Sequence, residues 1–187
     1  MKTEYELHVA GLTRRLKLYP IAENLKIAAF ILLGDAELSK ACARELVAKM
    51  PEHDILLTAE AKGIPLIHEM AEQAGEAKHI IARKGVKVYM ANPLCVEVHS
   101  ITTARAQKLY LGEDDVAAIR GKKVLIVDDV VSTGESLLAL EQLVKEAGGS
   151  IAGKMAVLAE GTAAKRSDVI YLEPLPLFDG LGNEIVS

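Results

Sequence analysis

The chain has no tryptophan, five tyrosines, two phenylalanines and two cysteines in 187 residues. So few rings offer no platform on which the bases of a single strand could stack. Positive charge is not in excess either. Twenty-two Lys and Arg against 26 Asp and Glu give a net charge of −4, so no overall field recruits nucleic acid. Cys42 and Cys95 form no CxxC or zinc spacing and read as small core or surface thiols of a reducing compartment. The five histidines show no metal spacing. His68-Glu69 does not begin HExxH, and His8 and His53 read as surface residues. Gly121-Lys122 lacks the upstream glycine and the following hydroxyl of a Walker A loop, and Gly180 and Gly182 do not complete GxGxxG. The longest apolar run, Ile27 to Leu33, is far too short to span a bilayer. Met1 to Glu6 is charged and has no apolar leader. These absences predict a cytoplasmic protein with neither a membrane nor a nucleic-acid partner.

What is present suits a buried α/β core. Half the residues are hydrophobic, and the length fits a single domain, 1–187. Short apolar runs at Ile55–Ala59, His79–Ala82, Gln107–Leu111, Val124–Val127, Lys154–Ala159 and Val169–Leu172 read as strands. Between them, apolar residues recur every three to four positions over Ala36–Lys49, Ile64–Ala74 and Gly134–Ala147, which is a helix pattern. Pro65 fits the first turn of its helix, and Gly75 and Gly148-Gly149 fit helix ends. Strands alternating with helices predict a mainly parallel twisted sheet with helices on both faces and ligands beyond the C-terminal strand ends. The first 33 residues mix short β-like pieces with Pro20. The C-terminal run Tyr171–Phe178 reads equally as a cover over a ligand or as a terminal strand.

The segment 124–136, Val-Leu-Ile-Val-Asp-Asp-Val-Val-Ser-Thr-Gly-Glu-Ser, carries most of the function. An apolar strand runs into the carboxylates Asp128 and Asp129. Val131, Ser132, Thr133, Gly134, Glu135 and Ser136 then form a small, hydroxyl-rich turn, and a helix begins. Backbone N–H groups at a helix N-terminus, with Ser and Thr hydroxyls, make a phosphate site. Two adjacent carboxylates are poor phosphate ligands but good acceptors for a sugar diol. The combination points to a phosphorylated sugar. Two other strand ends add to it. Glu60-Ala61-Lys62-Gly63 opens a helix with a glycine that lets backbone approach a ligand. Arg83-Lys84-Gly85-Val86-Lys87 puts three cations in five residues at the same predicted sheet edge.

The thirteen-residue segment resembles the 5-phosphoribosyl 1-diphosphate (PRPP) motif of type I phosphoribosyltransferases, and the likeness extends over about Ile55 to Tyr171. It implies the fold of that family, with a small hood built from N-terminal or C-terminal segments. It also implies transfer of 5-phosphoribose to a purine base, Mg²⁺ carried mainly by PRPP, and a homodimer. Ser132–Ser136 would hold the 5-phosphate. Asp128 and Asp129 would fix the ribose diol and stabilise positive charge at its ring. The Ala61-Lys62 turn, with a cis bond between those two residues, would meet pyrophosphate together with Arg83, Lys84 and Lys87. The basic cluster resembles the Arg-Lys-x-x-Lys element of adenine and xanthine enzymes. A lid over about 84–103 would close on the site. Thr102 stands where adenine enzymes carry Glu, which leaves Tyr89, Glu97 and His99 as substitutes and Ser100–Thr103 as hydroxyl donors. Ser132 stands where hypoxanthine-guanine enzymes carry Asp, so adenine is the first choice of base. The 6-oxopurines, or PRPP sensing without catalysis, are the alternatives.

Overall fold

A computed structural model describes residues 1–98 and 107–185. In chain order it contains β1 (Glu4–Val9), β2 (Leu12–Ala22), β3 (Leu25–Ala28), α1 (Ala36–Val47), β4 (Ile55–Ala59), α2 (Ile64–Ala74) and β5 (Ile80–Ala82). There follow β6 (Leu94–Val98), β7 (Gln107–Leu111), α3 (Glu113–Ile119), β8 (Lys123–Val131), α4 (Glu135–Glu146), β9 (Ser150–Glu160), β10 (Ile170–Leu175), β11 (Leu177–Phe178) and β12 (Glu184–Ile185). Five parallel strands lie in the order β10-β9-β8-β4-β5. Chain direction across the sheet reverses between β4 and β8, and the C-terminal ends of those two strands flank the switch point where such sheets bind ligands.

Period-two alternation explains how the sheet is covered on both faces. Leu56, Leu125, Val127, Met155 and Val157 face one way, into a core shared with Leu38, Cys42 and Leu46 of α1 and Leu66, Ile67 and Met70 of α2. Leu57, Val124, Ile126 and Ala156 face the other way, against Leu137, Leu140, Leu143 and Val144 of α4. The helix starts follow local chemistry. Asp35 caps α1 by accepting from the Leu38 N–H at 3.0 Å. Pro65 sits in the first turn of α2, and Gly75 ends that helix at φ +75°. No helix among the described residues is long and apolar enough to cross a membrane.

A second, antiparallel sheet joins both ends of the chain in the order β1-β2-β3-β11-β12, which is the expected hood. Both readings of the C-terminal run therefore hold in part. Ile170–Leu175 is the edge strand of the parallel sheet, while Phe178 pairs with Lys26 in the hood. Arg14 of β2 ties the hood to the start of α1, donating to Asp35 at 2.7 and 3.1 Å and to Glu37 at 2.8 Å.

Several expectations need correction. The central strand does not stop at Val127. It continues to Val131 because Val130 and Val131 stay in register with Leu158 and Ala159, so the acidic pair lies within the strand. Gln107–Leu111 is not in the parallel sheet. It pairs antiparallel with Leu94–Val98, part of the segment expected to be lid, because Val96, Leu109 and Leu111 together cover the α4 side of the core. The helix α3, with Glu113, Asp114 and Asp115 in its first turn, was not anticipated. His53 is not a surface residue: its side chain is only 7% exposed and lies 2.8 Å from Glu76. Cys42 is buried and Cys95 exposed. His99 and Ser100–Thr103 lie outside the described residues.

Candidate active site

Three strand ends converge at the switch point. A cleft of about 440 Å³ is lined by Ala59–Lys62 after β4, Lys84 after β5, Asp128, Asp129 and Val130 of β8, and Ser136 of α4. A neighbouring hollow of about 290 Å³ is lined by Asp128 and the run from Val130 to Leu137. Ala61, Lys62, Lys84, Asp128, Asp129, Val131, Ser132, Thr133, Gly134, Glu135 and Ser136 thus line these two neighbouring hollows, which share Asp128, Val130 and Ser136. Arg83 and Lys87 line neither of them. The Arg83 guanidinium donates to the Tyr89 hydroxyl at 2.6 Å and lies 3.6 Å from Glu60, and Lys87 lies 3.7 Å from the same carboxylate.

The loop Ser132–Gly134 owes its shape to Gly134. Its φ of +83° belongs to the left-handed region, and a Cβ there would stand 2.5 Å from Arg166 Nη1. Directly after it α4 begins, and the Glu135 N–H of its first turn donates to the Thr133 hydroxyl at 3.5 Å. Gly63 plays the corresponding part in the β4–α2 turn, where a Cβ would collide with Thr58 Oγ1. That hydroxyl is buried without a hydrogen-bond partner. The cis peptide bond lies one residue earlier than expected, at Glu60–Ala61 and not Ala61–Lys62. Strand β4 ends at Ala59, so the turn begins with Glu60.

Electrostatics separate the two aspartates. Asp129 is only 3% exposed, and its Oδ2 lies 2.8 Å from Lys62 Nζ, a close ion pair that lacks the alignment of a hydrogen bond. Asp128 accepts the Asp129 N–H at 2.9 Å. Desolvation raises its pKa well above the carboxylate range, and the neighbouring charge of Asp129 adds to this. Glu60, which the sequence reading did not single out, organises the basic cluster. It accepts the Lys84 N–H at 3.0 Å, and that bond, with the nearby Lys87 and Arg83, holds its pKa down.

A third concavity, about 730 Å³, opens between the segment Ile27–Ile31 of the hood and Lys62, Val130, Ser132 and Glu160. Glu160, also missed in the sequence, ends β9 and is 8% exposed. Burial raises its pKa, while the Ser132 hydroxyl and the Lys62 ammonium pull the other way. Its only signal in the sequence was a charged residue closing an apolar strand.

Known proteins are similar to this chain in fold and in sequence. An adenine phosphoribosyltransferase from Thermoanaerobacter pseudethanolicus superposes with a TM-score of 0.67 at 23% identity, over 85% of this chain and 95% of that one. The Saccharomyces cerevisiae adenine phosphoribosyltransferase, solved with adenine, gives 0.65 at 19% identity over 83% and 92%. In sequence, a hypoxanthine/guanine phosphoribosyltransferase of Methanococcus maripaludis is 31% identical over 146 residues, 77% of this chain and 71% of its own length. One from Methanotorris igneus is 28% identical over 150 residues, 79% and 74%. The family model for the phosphoribosyl transferase domain matches residues 33–173, which carry every site residue named above except the hood segment Ile27–Ile31, and the chain belongs to that family.

Proposed function

We propose that the chain transfers 5-phosphoribose from PRPP to a purine base, with adenine as the first choice, releasing pyrophosphate and a nucleoside monophosphate. One observation supports this above the others: a phosphate loop, an acidic pair, a basic turn and an apolar-walled cavity border one another around Asp128, Val130 and Lys62. The 5-phosphate sits on Ser132–Ser136 and the first turn of α4. The ribose diol lies on Asp128 and Asp129. The pyrophosphate faces Ala61, Lys62 and Lys84, with Arg83 and Lys87 supplying charge from behind Glu60. The base enters the cavity under the hood.

In the reaction, N9 of the purine forms a bond to C1 of the ribosyl group as the C1–O bond to pyrophosphate breaks. Pyrophosphate leaves with the electron pair, and the purine gives up one proton. Positive charge grows on the ribose ring between these events, and the negative charge held by the acidic pair below it stabilises that charge. The cleft holds the reactants in line, which is where most of the acceleration arises. Among the described residues no three His, Cys, Asp or Glu side chains form a cage for a metal. Mg²⁺ would arrive on PRPP, keep several waters and make few direct contacts with the chain. When bound, the ion would neutralise phosphate charge. A homodimer and a cytoplasmic location complete the proposal.

A second reading, use of 6-oxopurines, is favoured by relatives at 28–31% identity that are hypoxanthine/guanine phosphoribosyltransferases. Pyrophosphate release from Mg–PRPP, measured with a panel of purines and pyrimidines, tests the function. Release that depends on a purine is expected. PRPP binding with no turnover of any base would instead make the protein a sensor.

A further inference from the structure

Four charged side chains gather against the loop Ser132–Gly134 without belonging to any of its hollows. The chain leaves β9 through a 3₁₀ turn, Gly161–Lys165, closed by the Arg166 N–H donating to the Ala163 carbonyl at 3.1 Å. The Tyr171 hydroxyl fixes the same turn by donating to the Ala164 carbonyl at 2.8 Å. Arg166 is thereby delivered to the start of α4. Its guanidinium uses Nε and Nη2 on Asp168, at 3.0 and 2.8 Å. Lys154 of β9 donates to the same carboxylate and, at 2.8 Å, to Glu141 of α4. The cluster is therefore anchored to both elements that flank the loop. Nη1 takes no part in the fork with Asp168. It lies against Gly134, in the space that a Cβ on that glycine would need. Two cations and two carboxylates are neutral in sum, yet the arrangement is polar: Asp168 holds one edge of the guanidinium and the loop meets the other.

We propose that Arg166 is a positioning residue for the 5-phosphate: it sets a fixed positive charge against the Gly134 side of the loop, so that the site favours a phosphate carrying two negative charges. The inference rests on the reading given above, that Ser132–Ser136 receive the 5-phosphate. Arg166 lines none of the hollows, so it acts through the loop and not by touching the ligand. A cation whose side chain is 31% exposed ordinarily contributes little, because solvent screens it and holding it still costs entropy. Here the fork to Asp168 has already ordered it, so ligand binding has that much less ordering to do.

The size of the effect depends on the charge of the ligand. Coulomb energy is proportional to that charge. A phosphate monoester has its second pKa near about 6, so it is mainly a dianion at pH 8 and mainly a monoanion at pH 5. If loss of the Arg166 charge weakens the dianion about fivefold to tenfold, the monoanion loses the square root of that factor, about twofold to threefold. A side chain that merely packed against Gly134 would cost the same factor at both pH values.

The test is calorimetry on the full chain at low salt and without purine, with ribose 5-phosphate and inorganic pyrophosphate as probes. Arg166→Gln should raise the Kd for ribose 5-phosphate about fivefold to tenfold at pH 8 but only about twofold to threefold at pH 5. Its Kd for pyrophosphate at pH 8 should stay within about twofold of wild type, because that ligand faces the other strand ends. Asp128 and Glu160, whose pKa values are raised, titrate in both proteins and cancel in the ratio of variant to wild type. Arg166→Lys keeps the charge without the fork and should bind ribose 5-phosphate within about threefold of wild type at pH 8. Unchanged affinity in Arg166→Gln, an equal loss at the two pH values, or an equal loss of pyrophosphate overturns the proposal. So does a loss in Arg166→Lys as large as that in Arg166→Gln. Should Arg166→Gln fail to fold, Arg166→Met keeps an apolar stem against Gly134, lacks the charge, and is held to the same outcomes. A wild-type chain that binds no ribose 5-phosphate at either pH counts against the phosphoribosyl reading itself, so the two failures are distinguishable.

Discussion

Replacing Asp128 by asparagine should strengthen the ligand-free protein and disable it at the same time. Burial and the charge of Asp129 raise the pKa of Asp128, so the folded chain retains a proton that the unfolded chain has given up. The stability linked to that proton is fully present below the unfolded carboxylate value of about 3.9 and is lost as pH rises through the folded value. Above that, the fold must bear a desolvated charge. Asparagine keeps the Oδ1 acceptor for the Asp129 N–H and removes the charge. A buried group without its solvation costs on the order of 1–3 kcal/mol, and the low end applies because part of Asp128 still meets solvent. For a chain of this size 1 kcal/mol moves Tm by about 2–4 °C, so at pH 8 the variant should melt about 2–6 °C above wild type. At pH 4 to 5 the gap should close. Ligand reverses the order. At a hundred times its Kd, PRPP should stabilise the wild type by about 2.7 kcal/mol, or about 5–11 °C, and the variant hardly at all. Differential scanning fluorimetry at pH 5 and pH 8, with and without Mg–PRPP, reads all four cases. A variant that melts below wild type at pH 8 without ligand, or one that keeps the full shift with PRPP, refutes the reasoning.

Three further outcomes follow from the geometry. Lys87→Ala should weaken PRPP and pyrophosphate binding about tenfold while leaving the nucleoside monophosphate nearly unaffected, since the product carries no pyrophosphate; calorimetry with the three ligands checks this. Gly134→Ala forces a side chain into φ +83° and against the Arg166 guanidinium, so it should cost roughly 1–2 kcal/mol in urea melts and abolish ribose 5-phosphate binding. Gly63→Ala should destabilise by about 1–3 kcal/mol through its collision with Thr58 Oγ1, and Thr58→Ala in the same chain should recover most of that loss; independent, additive effects would show that the two positions do not touch.

The parts of the fold that depend on local pattern were readable from the sequence. The spans Ile55–Ala59, Ile64–Ala74 and Gln107–Leu111 match the structure residue for residue, because apolar runs, a first-turn proline and a terminal glycine are local signals. What could not be read was partnership. Gln107–Leu111 looks the same whether it joins a parallel sheet or a hairpin, and only packing of Leu109 and Leu111 beside Val96 decides between them. The end of β8 was misplaced for a similar reason. Two aspartates look like a strand terminus in sequence, yet β9 keeps β8 in the ladder at Asp128 and on both sides of Asp129.

The same limit applied to the site with a larger effect on its chemistry. Residues within one motif, such as Asp128 to Ser136, declare their role by spacing alone. Glu160 belongs to no motif, and Glu60 opens the β4–α2 turn without a role that spacing reveals. Glu60 becomes meaningful only when Arg83, Lys84 and Lys87 fold against it, and it then restrains cations that would otherwise lie loose at the cleft. Glu160 becomes meaningful only beside Ser132. Taken alone, Ser132 argued against 6-oxopurines because it is not a carboxylate. The fold supplies a carboxylate to the same corner from the adjacent strand, one register step away. Residue 132 read alone therefore omits a carboxylate that the adjacent strand brings beside it.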